Sequence, residues 1–205
     1  MMGSLAESMV QTAVAALVRR DDALAAEVYA TEREVNRLQV EVDDRAVKLT
    51  ALQQPVAQDV RFLFMASRIG GELERIADQA VNICQNSRFV LEAPPLRPLV
   101  DLPIMSEVAQ KMVRDSLTAM INRDVGLANQ VLEEEEKVDA FRDQIFRTLL
   151  THMMENPQTI GQSAHLLFVA KNLERVGDHA TNIAEMVYYA ATGDYMAEPN
   201  VRKKR

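Results

Sequence analysis

The chain repeats itself. The segment ELERIADQAVNICQ (Glu72 to Gln85) returns as NLERVGDHATNIAE (Asn172 to Glu185), with seven of fourteen positions identical at an offset of 100. A looser pair, TEREVNRL (Thr31 to Leu38) and EEEKVDAF (Glu134 to Phe141), recurs at an offset of 103. Two segments recurring in the same order at nearly one spacing mean a tandem duplication, so whatever one half folds into, the other half folds into as well. The copies join at APPLRPLVDLP (Ala93 to Pro103), whose four prolines cannot continue a helix.

Between the breaks the apolar spacing is helical. Leu63, Ala66, Gly70, Leu73, Ala77, Ala80 and Cys84 advance in steps of three and four, which lays one seam along a helix. The second half answers with Leu166, Ala170, Leu173, Gly177, Ala180, Ala184, Val187 and Ala191. A second pair of seams runs through Leu24, Val28, Thr31, Val35, Leu38 and Val42, and through Ala128, Val131, Glu134, Val138, Phe141 and Ile145. Shorter helices at about Leu5 to Arg20 and Ile104 to Arg123 precede them. The fold predicted is all-α, six helices in two tandem antiparallel three-helix bundles. The boundaries are 1–92 for the first repeat, 93–103 for a proline-rich linker, 104–193 for the second repeat and 194–205 for a basic, solvated, unstructured tail. The seams are rich in small residues, and Gly70 and Gly177 predict an unusually close approach of helices.

The same duplication organises the acids. Glu74 and Asp78 each follow a seam residue by one position, so they occupy one shoulder of the stripe, as do Glu174 and Asp178. On the partner helices Glu32 with Asn36, and Glu135 with Asp139, take the equivalent shoulder. Two antiparallel helices with facing seams are related by a local two-fold axis, so equivalent shoulders also face. Axial level agrees: the segment centres are equidistant from Pro55 in the first repeat and from the Asn156–Pro157 junction in the second. Each cluster lies about 20 residues, or roughly 30 Å, from its turn. Like charges at i,i+4 cost a helix about 0.2 to 0.5 kcal/mol per pair, and facing pairs repel further, so a cation is expected. Arg75, Arg175 and Lys171 could supply it as surface ion pairs worth about 0 to 1 kcal/mol. The alternative is a hard or borderline metal, such as Mg, Mn, Ca or iron, held by oxygen donors. Four carboxylates in the second repeat against three in the first predict tighter binding in the second.

Composition excludes several classes. A formal charge of −7, with basic residues clustered only at Arg202 to Arg205, disfavours a nucleic-acid partner. One cysteine, Cys84, cannot form an intrachain disulfide and fits a reducing compartment. No segment has the roughly 18 apolar residues of a membrane span, and the N-terminus lacks the pattern of a secretory signal. A cytoplasmic chain without membrane insertion is expected. No Ser-His-Asp, Cys-His or phosphate-loop pattern is present, and the Glu-x-x-His pairs of helical di-metal oxidases are missing; the chain is not expected to be an enzyme.

The paired LERIADxAxNI and LERVGDxAxNI segments, the QPVAQDVRFL stretch, EEKVD and the terminal YYAATGD together resemble the PhoU family along nearly the whole chain. The resemblance implies two three-helix bundles, frequent homodimers, and multinuclear sites for divalent or trivalent metal (iron, manganese, magnesium or zinc) built from E(D)xxxD motifs. Those motifs map to Glu74 with Asp78, Glu135 with Asp139, and Glu174 with Asp178. Asn36 stands where the fourth motif, begun by Glu32, has its second acid. The implied function is negative regulation of the phosphate-starvation response, as an adaptor between the ATPase subunit of a phosphate ABC transporter and a phosphate-sensing histidine kinase, peripheral to the membrane. Two other readings compete: an accessory of a different phosphate transporter, and a metal-binding helical protein without a signalling role.

Three histidines and two asparagines complete the candidates. His179 follows Asp178, but its repeat mate is Gln79, which speaks against a ligand role. His152 and His165 are expected to be structural. Asn82 and Asn182 continue each acid stripe by four residues and drift from the seam, which suits caps or surface contacts better than ligands.

Overall fold

The computed structural model describes residues 1–96 and 101–195. Among them are six α-helices, one short 3-10 turn and no strand. The first repeat is α1 (Met2–Arg19), α2 (Asp22–Gln53) and α3 (Ala57–Leu91); the second is α4 (Asp101–Asn122), α5 (Val125–Glu155) and α6 (Ile160–Thr192). Residues 97–100 of the linker and 196–205 of the tail lie outside the described residues, so the tail expected to be unstructured is reached only at Asp194 and Tyr195.

The helices stop and start where local chemistry directs. Arg20 and Arg123 both end a first helix in the left-handed conformation, at φ 58° and 53°. Each is followed by an aspartate that caps the next helix: Asp21 accepts the amide of Ala23, and Asp124 that of Leu127, both at 2.9 Å. The duplication thus extends to its caps. A non-glycine residue in this region costs about 1–2 kcal/mol, a cost the tertiary contacts must offset. The hairpin turns fall at the expected positions. Gln54 is left-handed (φ 45°) before Pro55, and Asn156 precedes the Pro157–Thr159 turn. Two boundaries differ from the sequence reading. α1 begins at Met2 rather than near Leu5, and α4 begins at Asp101 and takes Pro103 into its first turn, where a missing N–H costs nothing.

The two repeats lie side by side through α3 and α6, the most extensive helix pair in the molecule. These run antiparallel: Glu72 meets His179 and Asn182, Asn86 meets His165, and Val90 meets Gln162. One continuous core results, with Ile76, Ala80, Ile83, Val176, Ala180 and Ile183 fully buried at its centre. α1 and α4 are shorter than the hairpins they cover, so the two hairpin tips extend beyond them at opposite ends, with Phe64 and Met154 exposed.

The expected close approach at the seam glycines is absent. A Cβ on Gly70 would lie 3.7 Å from Val42 and one on Gly177 would lie 3.5 Å from Val138, ordinary contacts both. The tight places are Gly3, where a Cβ would meet a Leu117 methyl at 2.3 Å, and Gly193, where one would meet the Arg61 guanidinium at the same distance. The seam sits at normal packing distance, with Val42 and Val138 on the partner helices at ordinary contact range of where a methyl group would sit.

Candidate functional site

The facing shoulders exist. In the first repeat Glu32 and Asn36 project from α2 toward Glu74 and Asp78 on α3, all half-buried. Burial, followed by the charges of Asp78 and Glu32, pushes the Glu74 carboxyl above its ordinary range, while Arg75 and His179 pull the other way. Burial and Glu32 do the same to Asp78 against His179. Carboxylates from two helices therefore feel one another across the groove. Asn36 donates to Glu32 Oε1 at 3.1 Å, and its own Oδ1 is enclosed without a hydrogen-bond partner.

In the second repeat Asp139 on α5 and Glu174 and Asp178 on α6 converge, with Glu135 half-buried one turn before Asp139. Asp178 is raised by desolvation against the groove wall and then by Glu174 and Asp139, opposed by Lys171. Asp139 is raised by burial, Glu174 and Asp143, against the pull of Arg142 and Lys171. Here the protein supplies its own cations. Arg142 bonds Glu174 Oε1 at 2.8 Å and Lys171 holds Oε2. Lys171 is among the cations the sequence offers; Arg142 is not, and its repeat mate Gln39 gives no hint of it. Arg75 turns away from the acid pair to Glu72, at 3.2 Å.

Oxygen donors alone suit a hard cation, and the first groove fits one better than the second. Among the described residues no basic side chain is bonded to its acids, and it holds an enclosed amide oxygen without a hydrogen-bond partner. Among the described residues, however, no three Asp, Glu, His or Cys side chains converge as closely as the donors of a bound ion. The side chains of either groove would have to rotate inward to coordinate one.

The remaining candidates serve structure. His179 Nδ1 lies 2.8 Å from Glu72 Oε2, which also accepts from Asn182 at 2.9 Å. Glu72 is 6% exposed, sits between α3 and α6, and has no counterpart acid because its repeat mate is Asn172. Burial alone would raise its carboxyl, but hydrogen bonds from His179 and Asn182, with the charges of His179 and Arg75, hold it below the usual range. His165 stacks on Phe89 (centroids 4.3 Å apart) and meets Asn86, while the backbone carbonyl of His152 closes the end of α5. No described helix is long and apolar enough to cross a membrane.

The model of the PhoU domain matches residues 1–87 and again 102–187, one match to each repeat. A protein of Zymomonas mobilis named phosphate-specific transport system accessory protein PhoU homolog is 42% identical over 197 residues, 96% of this chain and 83% of that one. A Caulobacter vibrioides protein of the same name is 43% identical over 194 residues, 94% of this chain and 84% of its own. Among solved structures, PhoU from Pseudomonas aeruginosa superposes with a TM-score of 0.89 at 34% identity, covering 94% of this chain and 93% of the other. The PhoU regulatory protein of Streptococcus pneumoniae superposes at 0.86 with 22% identity and supports the fold alone. With both repeats matched and relatives above 40% identity over nearly its full length, this chain belongs to the PhoU family.

Proposed function

We propose that this chain is a non-enzymatic accessory of a phosphate-specific transport system and holds the phosphate-starvation response off when phosphate is plentiful. The carrying observation is the match of the PhoU domain to both repeats, together with relatives named as accessory proteins of that system. In this role it couples the transporter's ATPase subunit to a sensor histidine kinase. An adaptor shifts an equilibrium only by binding its partner's states unequally. Capture of the ATPase subunit should therefore change with nucleotide or phosphate supply, and deletion should leave starvation genes on in phosphate-rich medium. A deletion strain that represses them normally overturns the reading. Co-purification with another phosphate transporter would move the chain to that system.

The acidic grooves are proposed to take a divalent or trivalent cation through Glu32, Asn36, Glu74 and Asp78, and through Glu135, Asp139, Glu174 and Asp178. When bound, the ion would neutralise the facing carboxylates. Count favours the second groove, but Arg142 and Lys171 already neutralise it in part, and an entering ion must displace them. Titration calorimetry with Mn compares the parent with Asp78→Ala and Asp178→Ala. The larger loss is expected from Asp78→Ala, and no binding by the parent sinks the proposal.

A further inference from the structure

The two acidic grooves share one plan and are neutralised differently. In the second, Glu174 is buried and both of its oxygens are taken by cations of the chain itself: Arg142 Nη1 reaches Oε1 at 2.8 Å, and Lys171 holds Oε2. Arg142 belongs to α5 and Glu174 to α6, so the pair ties the two helices across the groove. The same guanidinium has a second partner. Its Nη2 and Nε donate to the exposed carboxyl of Asp143 at 2.8 and 3.1 Å. At the offsets of the duplication, 103 for α5 and 100 for α6, Arg142, Asp143 and Lys171 fall on Gln39, Val40 and Gly71. None of these three is charged. Among the described residues no basic side chain is bonded to Glu32, Glu74 or Asp78: Asn36 takes Glu32, and Arg75 turns to Glu72. Three carboxylates leave the first groove at a formal −3, whereas four carboxylates and two bonded cations leave the second at −2.

We infer that Arg142, with Lys171, is a latch built into the second groove that keeps cations out until the first groove has filled, and that Asp143 receives the guanidinium when an ion takes Glu174. An entering ion must break charge-assisted hydrogen bonds to a buried carboxylate, which are roughly twice as strong as neutral ones. It must also strand no charge, since breaking a buried pair and leaving one partner behind is strongly destabilising. Asp143 meets that need. Two of the three hydrogen bonds of Arg142 already go there, so giving up Glu174 costs the arginine one bond and leaves it an ion partner. Lys171 is half exposed and returns to water. The first groove asks for no such exchange, and it offers the enclosed Oδ1 of Asn36 as well as its acids. Order of filling is therefore set by two cations and a carboxylate that only one repeat carries, and the count of acids misleads. The inference deepens the cation reading of the grooves and rests on it, but not on the accessory role.

Calorimetric titration of the full chain with Mn tests the latch one groove at a time. Asp78→Ala leaves the second groove to be read, and adding Arg142→Gln, which installs the first repeat's residue, should tighten Mn binding there about tenfold. Asp178→Ala leaves the first groove, and adding the reverse transplant, Gln39→Arg with Gly71→Lys, should weaken Mn binding about tenfold. A side chain at position 71 has room, because a Cβ on Gly71 meets nothing within 4 Å. Thermal melts establish which variants fold. Unchanged second-groove affinity in a folded Arg142→Gln protein overturns the latch. Should that protein not fold, unchanged first-groove affinity in the transplant overturns it instead. No Mn bound by the parent overturns the cation reading and the latch together, whereas binding that neither exchange alters overturns the latch alone.

Discussion

Glu72 shows how a single residue can join two repeats. It is nearly buried, yet it accepts from His179 and Asn182 across the α3–α6 interface and from Arg75 on its own helix. Hydrogen bonds to a charged group are worth about 1.5–3 kcal/mol, so Glu72→Gln should cost stability of that order at neutral pH. Because the folded carboxyl lies below its ordinary value, its contribution is complete above the unfolded pKa of about 4.3. It disappears as pH falls through the folded value. The parent's stability should fall more steeply than the variant's below about pH 4.3, and parallel acid melts check this. Asn36 offers the opposite experiment. Asn36→Asp places a fourth carboxylate beside Glu32 and Asp78, which already repel. The expected outcome is a lower melting temperature in chelator and a larger rise with added Mn than the parent shows. Equal responses to Mn would show that the first groove does not gather cations.

At the scale of the helix, the seams carry the fold and the shoulders carry the chemistry. Gly70 and Gly177 lie within helices whose neighbours leave room for a methyl group. Replacing either with Ala should stabilise by about 0.5–1 kcal/mol, since glycine is that much poorer in a helix. A leucine at Gly177, facing Val138 and Met112, should overpack by about 1–3 kcal/mol. Gly3→Ala should destabilise, because its new methyl needs the space Leu117 fills. Four melting curves distinguish these outcomes. The periodicity of three and four announces a seam in the sequence alone. Distance across the seam is not readable there, because it depends on Val42 and Val138 of another helix.

The whole molecule is two copies of one unit sharing one core. Ile76, Ile83, Val176 and Ile183 all lie at the joint and all are fully buried, so neither half can open without exposing the other. A single cooperative transition with equal calorimetric and van't Hoff enthalpies is expected, and residues 1–92 alone should be unfolded or self-associated. Two resolved transitions would contradict this. The sequence by itself determined the duplication, the six helices, the hairpin turns at Pro55 and Pro157, and the placing of Glu32, Glu74, Asp78, Asp139, Glu174 and Asp178 on facing shoulders. These follow from local periodicity and from a symmetry the chain carries in its own residues. Only the tertiary structure decided that Arg142 neutralises Glu174, that Glu72 holds His179, and that Arg20 and Gln162 pin the linker across one end of the bundle. Each of these depends on which rotamer and which neighbour meet across 30 to more than 100 positions of chain, and on places where the two copies have diverged, and helical periodicity reaches no further than one turn.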